Sequence, residues 1–461
     1  MLGLVRPELQ EGPTEPEALT VLVREVLEVE RGRLAAGETR ASDAQLAAEV
    51  VARFEALRDP GRTAPPTVIN ASGVILHTNL GRAPWPDAAR TAADVAAAAY
   101  GFLELDPATG RRGRRFRAAE EHLVTLTGAE DALVVSNNAA ALLLAVGLAG
   151  RRGSLVVSRG ELVEIGGGVR IPEVIARAGA RLIEVGTTNR TRAEDYEAPL
   201  AEGRARAVLR VHPSNFAVSG FTESADLAAV ARLAHEHGAI VIDDLGSGAL
   251  LDTTVFGLGH EPTPAERLAA GADVVLFSGD KLVGGPQAGL LAGRRDLIAK
   301  LRRDPLARAM RPDKTILAGV AATLALYRAG RAVADIPVWR QVARSPASLR
   351  ERAEKIAAVA AAAGRDDVRV VALETAVGGG SLPGQVLPSF GISVRTGSPD
   401  RAARRLRDPA TRTDVDGGAS RERILARIDV GSIVLDLRTV DPAADEVIVR
   451  RILADVPPEP A

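Results

Sequence analysis

Residues 272–289 read Ala272-Asp-Val-Val-Leu-Phe-Ser-Gly-Asp-Lys-Leu-Val-Gly-Gly-Pro-Gln-Ala-Gly289. The apolar run Val274–Phe277 is typical of a buried strand, and a small, turn-rich segment with one lysine, Lys281, follows it. Glycines let a backbone turn sharply and approach a ligand closely. A lysine in this setting is a candidate Schiff-base nucleophile, and a solvated loop lysine is an equal alternative on this stretch alone.

Short apolar runs alternate with helical stretches through the middle of the chain. The runs are Leu155–Ser158, Arg181–Val185, Ala207–Val211, Ala239–Asp243 and Val274–Phe277. Helical stretches such as Ala225–His237 separate several of them. The alternation predicts an α/β fold with a mostly parallel central sheet covered by helices. In such folds, ligands bind at the carboxyl ends of the strands.

One such strand end is the turn Ser136-Asn137-Asn138, which leads from a short strand into an Ala/Leu helix. Small polar residues at a helix start can leave backbone N–H groups free to bind a phosphate. The alternative interpretation is a plain helix N-cap.

Two further features are expected at the same edge of the sheet, the pair Asp243-Asp244 and Lys281. A phosphate-binding turn, a carboxylate that keeps a pyridine nitrogen protonated and a lysine are what pyridoxal phosphate requires. Ser278, three residues before Lys281, could add a phosphate contact. The alternatives for the aspartate pair are a strand-end turn and a metal site.

Arginines mark three candidate anion sites. Arg82 lies in a polar turn after an apolar segment, and a surface arginine is the alternative there. Arg308 and Arg311 are three residues apart, so they share a face if that segment is helical. Residues 110–117 hold five arginines in eight positions, which indicates either a solvated face or a phosphate-rich partner.

Composition excludes several classes of site. The 461 residues carry 58 Lys+Arg against 59 Asp+Glu, and there is no cysteine. Disulfides, thiolate catalysis and cysteine metal sites are therefore excluded. The six histidines contain no HExxH pattern, so we expect no metal. We see no membrane-spanning run and no signal peptide, and we expect a cytoplasmic protein.

The length predicts several domains. We place a helical N-terminal domain at 1–66, a large α/β domain at 67–314 and an α+β domain at 315–461. Residues 1–60 hold seven Arg and no Lys against twelve Asp+Glu, a net charge of −5. This acidic balance does not favour RNA binding, and a docking or oligomerisation element is the alternative role for the first domain.

Eight motifs, in order, resemble those of the bacterial L-seryl-tRNA(Sec) selenium transferase (selenocysteine synthase) family. They are Asn70–Arg82, Ser136–Ala139, Ser158–Gly166, Gly186–Arg190, His212–Phe216, Asp244–Gly248, Ser278–Gly289 and Gly378–Gly384. Each motif is modest, and the ordered set is specific.

The resemblance implies a fold-type-I pyridoxal 5'-phosphate enzyme with Lys281 as the aldimine lysine. It also implies that Asp280 belongs to the active site and that Arg82, Arg308 and Arg311 bind selenophosphate. We choose Asp280 as the acid that assists loss of the seryl hydroxyl.

In the same interpretation, Asp244 is our choice for the partner of the pyridine nitrogen, with Asp243 in reserve. The implied reaction converts seryl-tRNA(Sec) to selenocysteinyl-tRNA(Sec) through an aminoacrylyl-tRNA intermediate. The family resemblance further implies a homo-oligomer built from dimers, such as a decamer, with a tRNA-binding N-terminal domain.

Two other functions stay open from the sequence. One is a pyridoxal phosphate lyase of the same superfamily that acts on a free amino acid or amino sugar acid. The other is a catalytically silent RNA-binding or scaffold protein on the same fold. Lys281, Asp244 and the Ser136-Asn137-Asn138 turn argue against a silent protein.

Overall fold

The computed structural model describes residues 16–58, 64–113, 115–150, 152–166, 168–216, 218–408 and 422–458. The chain divides into two compact units, one of Met1–Val68 with Ser420–Arg423 and one of Ile69–Ala419 with Ile424–Ala461. The division into domains at 1–66, 67–314 and 315–461 stays a prediction.

Helices and strands follow in chain order. The helices are α1 Pro16–Ala35, α2 Asp43–Arg58, α3 Asp87–Ala98, α4 Ala118–Thr127, α5 Asn138–Val146, α6 Ile171–Arg177, α7 Glu197–Ala201, α8 Leu227–Glu236, α9 Pro264–Ala269, α10 Arg295–Arg303, α11 Pro305–Ala309, α12 Lys314–Arg328, α13 Ala332–Asp335, α14 Pro337–Val342, α15 Pro346–Ala362, α16 Pro399–Arg407 and α17 Asp445–Asp455. The strands are β1 Val68–Asn70, β2 Val74–Leu76, β3 Asp131–Val135, β4 Ser154–Ser158, β5 Glu164–Ile165, β6 Val169–Arg170, β7 Arg181–Val185, β8 Ala207–Val211, β9 Ile240–Gly246, β10 Val274–Ser278, β11 Gly289–Gly293, β12 Val368–Gly378, β13 Val386–Arg395, β14 Arg423–Leu425, β15 Arg427–Asp429 and β16 Ser432–Asp436. None of the helices in the described ranges is long and apolar enough to cross a bilayer.

The smaller unit contains the helix pair α1 and α2. Leu19, Val23 and Val26 share one face of α1, because residues three and four apart are neighbours on a helix. They are buried together with Leu46 and Val50 of α2 in one apolar cluster. The apolar spacing seen in the sequence is therefore the packing surface of this pair.

A seven-stranded sheet forms the centre of the larger unit. Its strand order is β3-β11-β10-β9-β8-β4-β7. Strand β11 runs antiparallel to both of its neighbours, and the other pairs, from β10 to β7, are parallel. The sheet is thus mostly parallel, as predicted.

Both faces of this sheet are buried. Val208, Val241 and Val275 belong to the apolar cluster on one face, and Ile242 and Leu276 belong to the cluster on the other. Successive residues of a strand point to opposite faces. The adjacent residues 243 and 244 of β9 therefore project into different surroundings.

The C-terminal part of the larger unit contains a five-stranded sheet of order β15-β16-β13-β12-β2. Strands β12, β13, β16 and β15 pair antiparallel in that order. Strand β2, from the beginning of the unit, pairs parallel to β12 with Val74 opposite Ala376 and Leu76 opposite Gly378. This pairing brings the end of β12 beside the segment that carries Arg82.

Candidate active site

Lys281 lies in the turn after β10, which ends at the carboxyl edge of the sheet. The turn is fixed by backbone hydrogen bonds, from Leu282 N–H to the Ser247 carbonyl and from Gly284 N–H to the Lys281 carbonyl, both 3.0 Å. Lys281 is half-buried. Burial lowers the pKa of its ammonium group, and the Asp244 carboxylate opposes that shift. Lys281 is therefore not a solvated loop lysine.

The segment Gly378–Gly384, which we call the glycine loop, closes one side of the lysine. A Cβ atom placed on Gly380 would lie 2.6 Å from Lys281 Nζ, and Gly380 has φ +83°. A Cβ on Gly378 would lie 2.6 Å from the Leu76 carbonyl oxygen. Because the loop follows β12, the C-terminal sheet supplies a wall of the lysine pocket.

Asp244 is the buried carboxylate on the lysine side of β9. It accepts hydrogen bonds from Asn138 Nδ2 at 2.9 Å and from Gly246 N–H at 3.1 Å. Burial raises the pKa of Asp244 to about 6, and Asn138 and Lys281 limit the rise. Asp244, Asn138 and Lys281 thus form one electrostatic group.

Asp243 projects from the other face of β9. Its carboxylate accepts from Arg267 Nε at 2.5 Å, and the side chain is fully buried. On the same side, Arg210 donates to Glu161 at 2.8 Å. The Asp243 carboxylate is therefore already paired with a guanidinium.

The turn Ser136-Asn137-Asn138 serves more than one purpose. Asn137 caps α5 by accepting from Ala140 N–H at 2.8 Å, as the N-cap interpretation expects. Ser136 N–H donates to the Met310 carbonyl at 2.8 Å. Ser278 is buried at the last position of β10.

Arg82 and Asp280 form a salt bridge, with Arg82 Nη1 2.7 Å from Asp280 Oδ2. Ala83 N–H also donates to the Asp280 carbonyl at 3.3 Å. Arg82 has φ +62°, a left-handed conformation that is costly for a residue with a Cβ atom. The structure thus holds Arg82 beside the residue that precedes Lys281.

Arg308 and Arg311 do not share a helix face. Helix α11 ends at Ala309, and Arg311 precedes Pro312, a position at which the helical conformation is sterically disfavoured. Arg311 donates to Glu104 Oε1 at 3.3 Å, and both arginines are exposed. The condition for a shared helix face is therefore not met, and the role of the two residues in anion binding stays a prediction.

Three arginines of the basic run at 110–117 pair with carboxylates. Arg112 and Arg115 each donate to Glu104 at 2.9 Å. Arg117 pairs with Glu120 and Asp131. Arg114 lies outside the described residues. With Arg302 and Arg311 these side chains line a cavity of about 800 Å³, which we call the arginine cavity.

Several buried polar side-chain atoms lack a hydrogen-bond partner, and some belong to residues that interact electrostatically with Lys281, such as Arg82 and Glu261. Buried side-chain atoms that lack a hydrogen bond, within the described ranges, include His77 Nδ1, Arg82 Nε, Asn138 Oδ1, His212 Nε2, Ser247 Oγ, Glu261 Oε1 and Ser381 Oγ. Buried polar groups are normally satisfied. Unused donors and acceptors beside a lysine and a carboxylate fit a small polar ligand with an anionic group, such as pyridoxal phosphate.

Four of these polar residues lie inside the motifs but were not singled out from the sequence, namely His77, His212, Ser247 and Ser381. Glu261 lies in none of the eight motifs, and no pattern in the sequence marks it. In the part of the chain that the structure describes, no group of three or more His, Asp or Glu side chains could hold a metal ion.

Comparisons with known proteins agree with this geometry. The family model for L-seryl-tRNA selenium transferase (SelA) matches residues 68–441. The L-seryl-tRNA(Sec) selenium transferase of Carboxydothermus hydrogenoformans is 42% identical over 449 residues, covering 95% of this chain and 92% of the relative. That of Moorella thermoacetica is 44% identical over 436 residues, covering 94% and 90%.

A solved structure of D-glucosaminate-6-phosphate ammonia-lyase is similar in fold, with a TM-score of 0.57, 24% identity and coverage of 84% of this chain and 95% of that one. This likeness confirms the predicted fold class, a fold-type-I α/β enzyme. The family match confirms the resemblance seen in the motifs. The chain belongs to the L-seryl-tRNA(Sec) selenium transferase family, a family of pyridoxal 5'-phosphate enzymes.

Proposed function

We propose that this chain converts seryl-tRNA(Sec) to selenocysteinyl-tRNA(Sec) with selenophosphate as the selenium donor. Family membership supports the reaction class. The observation that carries the proposal is the pocket in which half-buried Lys281 lies against Gly380 and interacts with Asp244. Such a lysine is accessible to a ligand yet removed from bulk water.

The proposed cofactor is pyridoxal 5'-phosphate, bound covalently by Lys281. When bound, it withdraws electrons from the α-carbon of an attached amino acid. Asp244 is proposed to face the pyridine nitrogen, since the Asp243 carboxylate is paired with Arg267. The remaining proposed cofactor contacts are Ser136, Asn137, Asn138 and Ser278.

Lys281 is also the proposed base for the α-proton. Its lowered pKa increases the fraction of neutral amine at physiological pH, and a neutral amine is the form that accepts a proton. Arg82 is the proposed ligand of selenophosphate, because its buried Nε has no hydrogen-bond partner while Nη1 is held by Asp280. The exposed Arg308 and Arg311 are proposed as further ligands.

The proposal includes an assembly and a location. We propose a homo-oligomer built from dimers, such as a decamer, in the cytoplasm, where the tRNA substrate is charged. The helical unit at 1–66 is the proposed tRNA-binding domain. The proposed bounds of the large α/β domain are 67–314, and those of the α+β domain are 315–461.

A turnover assay tests the function. The purified full chain, loaded with cofactor, meets seryl-tRNA(Sec) and selenophosphate, with seryl-tRNA(Ser) as the control. The amino acid released from the tRNA is then identified. We expect selenocysteine from the cognate tRNA alone. No conversion by protein that binds the cofactor would contradict the proposal and favour the small-substrate lyase.

A further inference from the structure

Loss of the seryl hydroxyl requires a proton, because hydroxide is a poor leaving group. The residue expected from sequence to supply it, Asp280, is bonded to Arg82 at 2.7 Å. An ionised carboxylate accepts hydrogen bonds and has no proton to donate. Lys281, which holds the α-proton after abstraction, and the other side chains near it are then the candidate proton donors.

His212 lies at the carboxyl edge of the sheet, the edge at which Lys281 lies. It directly follows β8, and its backbone N–H donates to the Asp244 carbonyl at 2.8 Å. Its carbonyl accepts from Ser214 N–H at 2.8 Å. A Cβ atom on Gly246 would lie 3.0 Å from Ser214 Oγ and 3.7 Å from Lys281 Nζ. The segment that carries His212 therefore borders the lysine pocket.

A buried carboxylate faces the imidazole of His212. Glu261 Oε1 lies 3.2 Å from His212 Nε2, and the Glu261 side chain is only 3% exposed. The two atoms are close without the alignment of a hydrogen bond, and neither has another partner within the described ranges. An imidazole beside a carboxylate is held in one tautomer and one orientation.

The Glu261 carboxylate is mounted on a fixed segment. Glu261 N–H donates to Thr253 Oγ1 at 3.0 Å, and Thr253 Oγ1 donates to the Gly259 carbonyl at 2.6 Å. Gly259 N–H in turn donates to Gln385 Oε1 at 3.1 Å, just beyond the glycine loop. The carboxylate is thus tied to the same loop that contacts Lys281.

We propose that His212, oriented by Glu261, donates the proton that lets the seryl hydroxyl leave as water; this inference rests on the proposed function. The Cα–H bond breaks with its proton taken by Lys281, and its electron pair forms the Cα–Cβ double bond. The Cβ–O bond breaks with its pair on oxygen, and that oxygen takes the proton of His212. His212, whose side chain is 21% exposed, is reprotonated from solvent.

The test compares two leaving groups. His212→Asn is assayed with seryl-tRNA(Sec) and with β-chloroalanyl-tRNA(Sec), since chloride leaves without a proton. We expect turnover of the seryl substrate to fall by about 100-fold or more, and turnover of the chloroalanyl substrate to fall only a few-fold. Equal losses on both substrates would overturn the proposal.

Exchange of the α-proton separates acid catalysis from damage to the site. In deuterated water, His212→Asn should still exchange the seryl α-proton at close to the wild-type rate, because Lys281 is intact. Loss of exchange in parallel with turnover would show that His212 supports cofactor or substrate binding and would contradict the assignment.

Glu261 is a positioning residue in this proposal. Glu261→Ala should reproduce the leaving-group dependence of His212→Asn. Glu261→Gln should recover part of the seryl turnover, because its amide oxygen keeps a partial negative charge beside Nε2. If Glu261→Ala had the same ratio of seryl to chloroalanyl turnover as the wild type, this role would be excluded.

His235→Asn is the matched control. His235 Nε2 lies 2.9 Å from Asp273 Oδ2 in a similar carboxylate–imidazole pair on α8, and no role in the reaction is assigned to it. It should leave both turnover rates unchanged. If the wild-type protein forms no selenocysteine from either substrate, the proposed function is wrong. If the wild type is active but His212→Asn shows no dependence on the leaving group, only the assignment of His212 is wrong.

Discussion

The edge of the sheet around Lys281 and the arginine cavity are both rich in ionisable side chains, yet they differ in how those side chains are satisfied. In the arginine cavity, Arg117 and Arg302 both pair with Glu120 and Asp131. Around Lys281, several buried polar atoms have no partner. Unsatisfied buried polarity, rather than charge density, supports the proposal of a ligand site at Lys281.

The largest expected effect is at Lys281 itself. Lys281→Ala should abolish turnover and the visible absorption of the bound cofactor, because no other side chain can replace its amine. Lys355→Ala is the control, since Lys355 is exposed and pairs with Glu351 on the same helix. Turnover of Lys281→Ala at the wild-type rate would rule out the assignment.

The two adjacent aspartates should separate function from stability. Asp244→Asn should lower turnover by about 100-fold without destabilising the fold at neutral pH. Asp243→Asn removes one partner of a buried ion pair with Arg267 and should cost roughly 3 kcal/mol in stability. Rate assays and denaturant unfolding check the two effects. If instead Asp243→Asn lowered turnover and Asp244→Asn lowered stability, Asp243 would become the proposed partner of the pyridine nitrogen.

Gly380 tests the wall of the lysine pocket. Gly380→Ala forces a Cβ atom to 2.6 Å from Lys281 Nζ and should lower turnover by about tenfold, a cost near 1.4 kcal/mol. Gly384→Ala in the same loop is the control, because it has a similar φ of +74° but an open Cβ position. Equal losses in both variants would attribute the effect to backbone strain alone.

The contribution of a carboxyl group to the free energy of unfolding should change with pH in opposite directions at Asp244, beside Lys281, and at Asp131, in the arginine cavity. Burial raises the Asp244 pKa to about 6. The cofactor-free folded state therefore binds a proton between pH 6 and 4 that the unfolded state lacks, and it gains roughly 3 kcal/mol from this carboxyl as pH falls. Asp244→Asn should remove that gain, as measured by unfolding across this range.

Asp131 in the arginine cavity should act the other way. Burial alone would raise its pKa, but the Ala132 N–H and the guanidinium groups of Arg302 and Arg117 hold the pKa below its ordinary value. Its stabilisation is therefore present above the ordinary aspartate pKa and is lost as pH falls through the folded value. A pH profile of Asp131→Asn that matched that of Asp244→Asn would break the comparison.

The smallest effect is expected at the rim of the arginine cavity. Arg112 is 76% exposed while it pairs with Glu104. Exposed ion pairs contribute little because water and salt screen them, so Arg112→Ala should change the unfolding free energy by at most about 1 kcal/mol. Turnover should be unaffected. If this variant lost much of its tRNA binding, residues 110–117 would be interpreted as a binding surface for a phosphate-rich partner.

Much of the fold could be predicted from local patterns. Strands β7 and β8 begin and end where the apolar runs do. Strands β11 and β16 are among those not predicted from the sequence. Strand β11 is a short, glycine-bounded run that reads as the tail of the lysine motif, and β16 follows directly on β15 with only a tight turn between them.

The site was predictable where neighbours in sequence decide it. Lys281 and Asp244 follow from their positions at strand ends. The contacts of His212 with Glu261 and of Lys281 with Gly380 join residues far apart in the chain, so no spacing rule could reveal them. A shared helix face for Arg308 and Arg311 required a helix through both residues, and α11 ends at Ala309, before Arg311 and Pro312.

The glycine loop also determines when the lysine pocket can form during translation. Lys281 leaves the ribosome about a hundred residues before Gly380, and strand β2 must wait roughly three hundred residues for its partner β12. At 5–20 residues per second, that wait is on the order of 15–60 s. The pocket around Lys281 cannot be complete before most of the chain has been translated. Capture of the cofactor in a finished pocket is therefore a late event, and the nascent sheet must remain soluble without it.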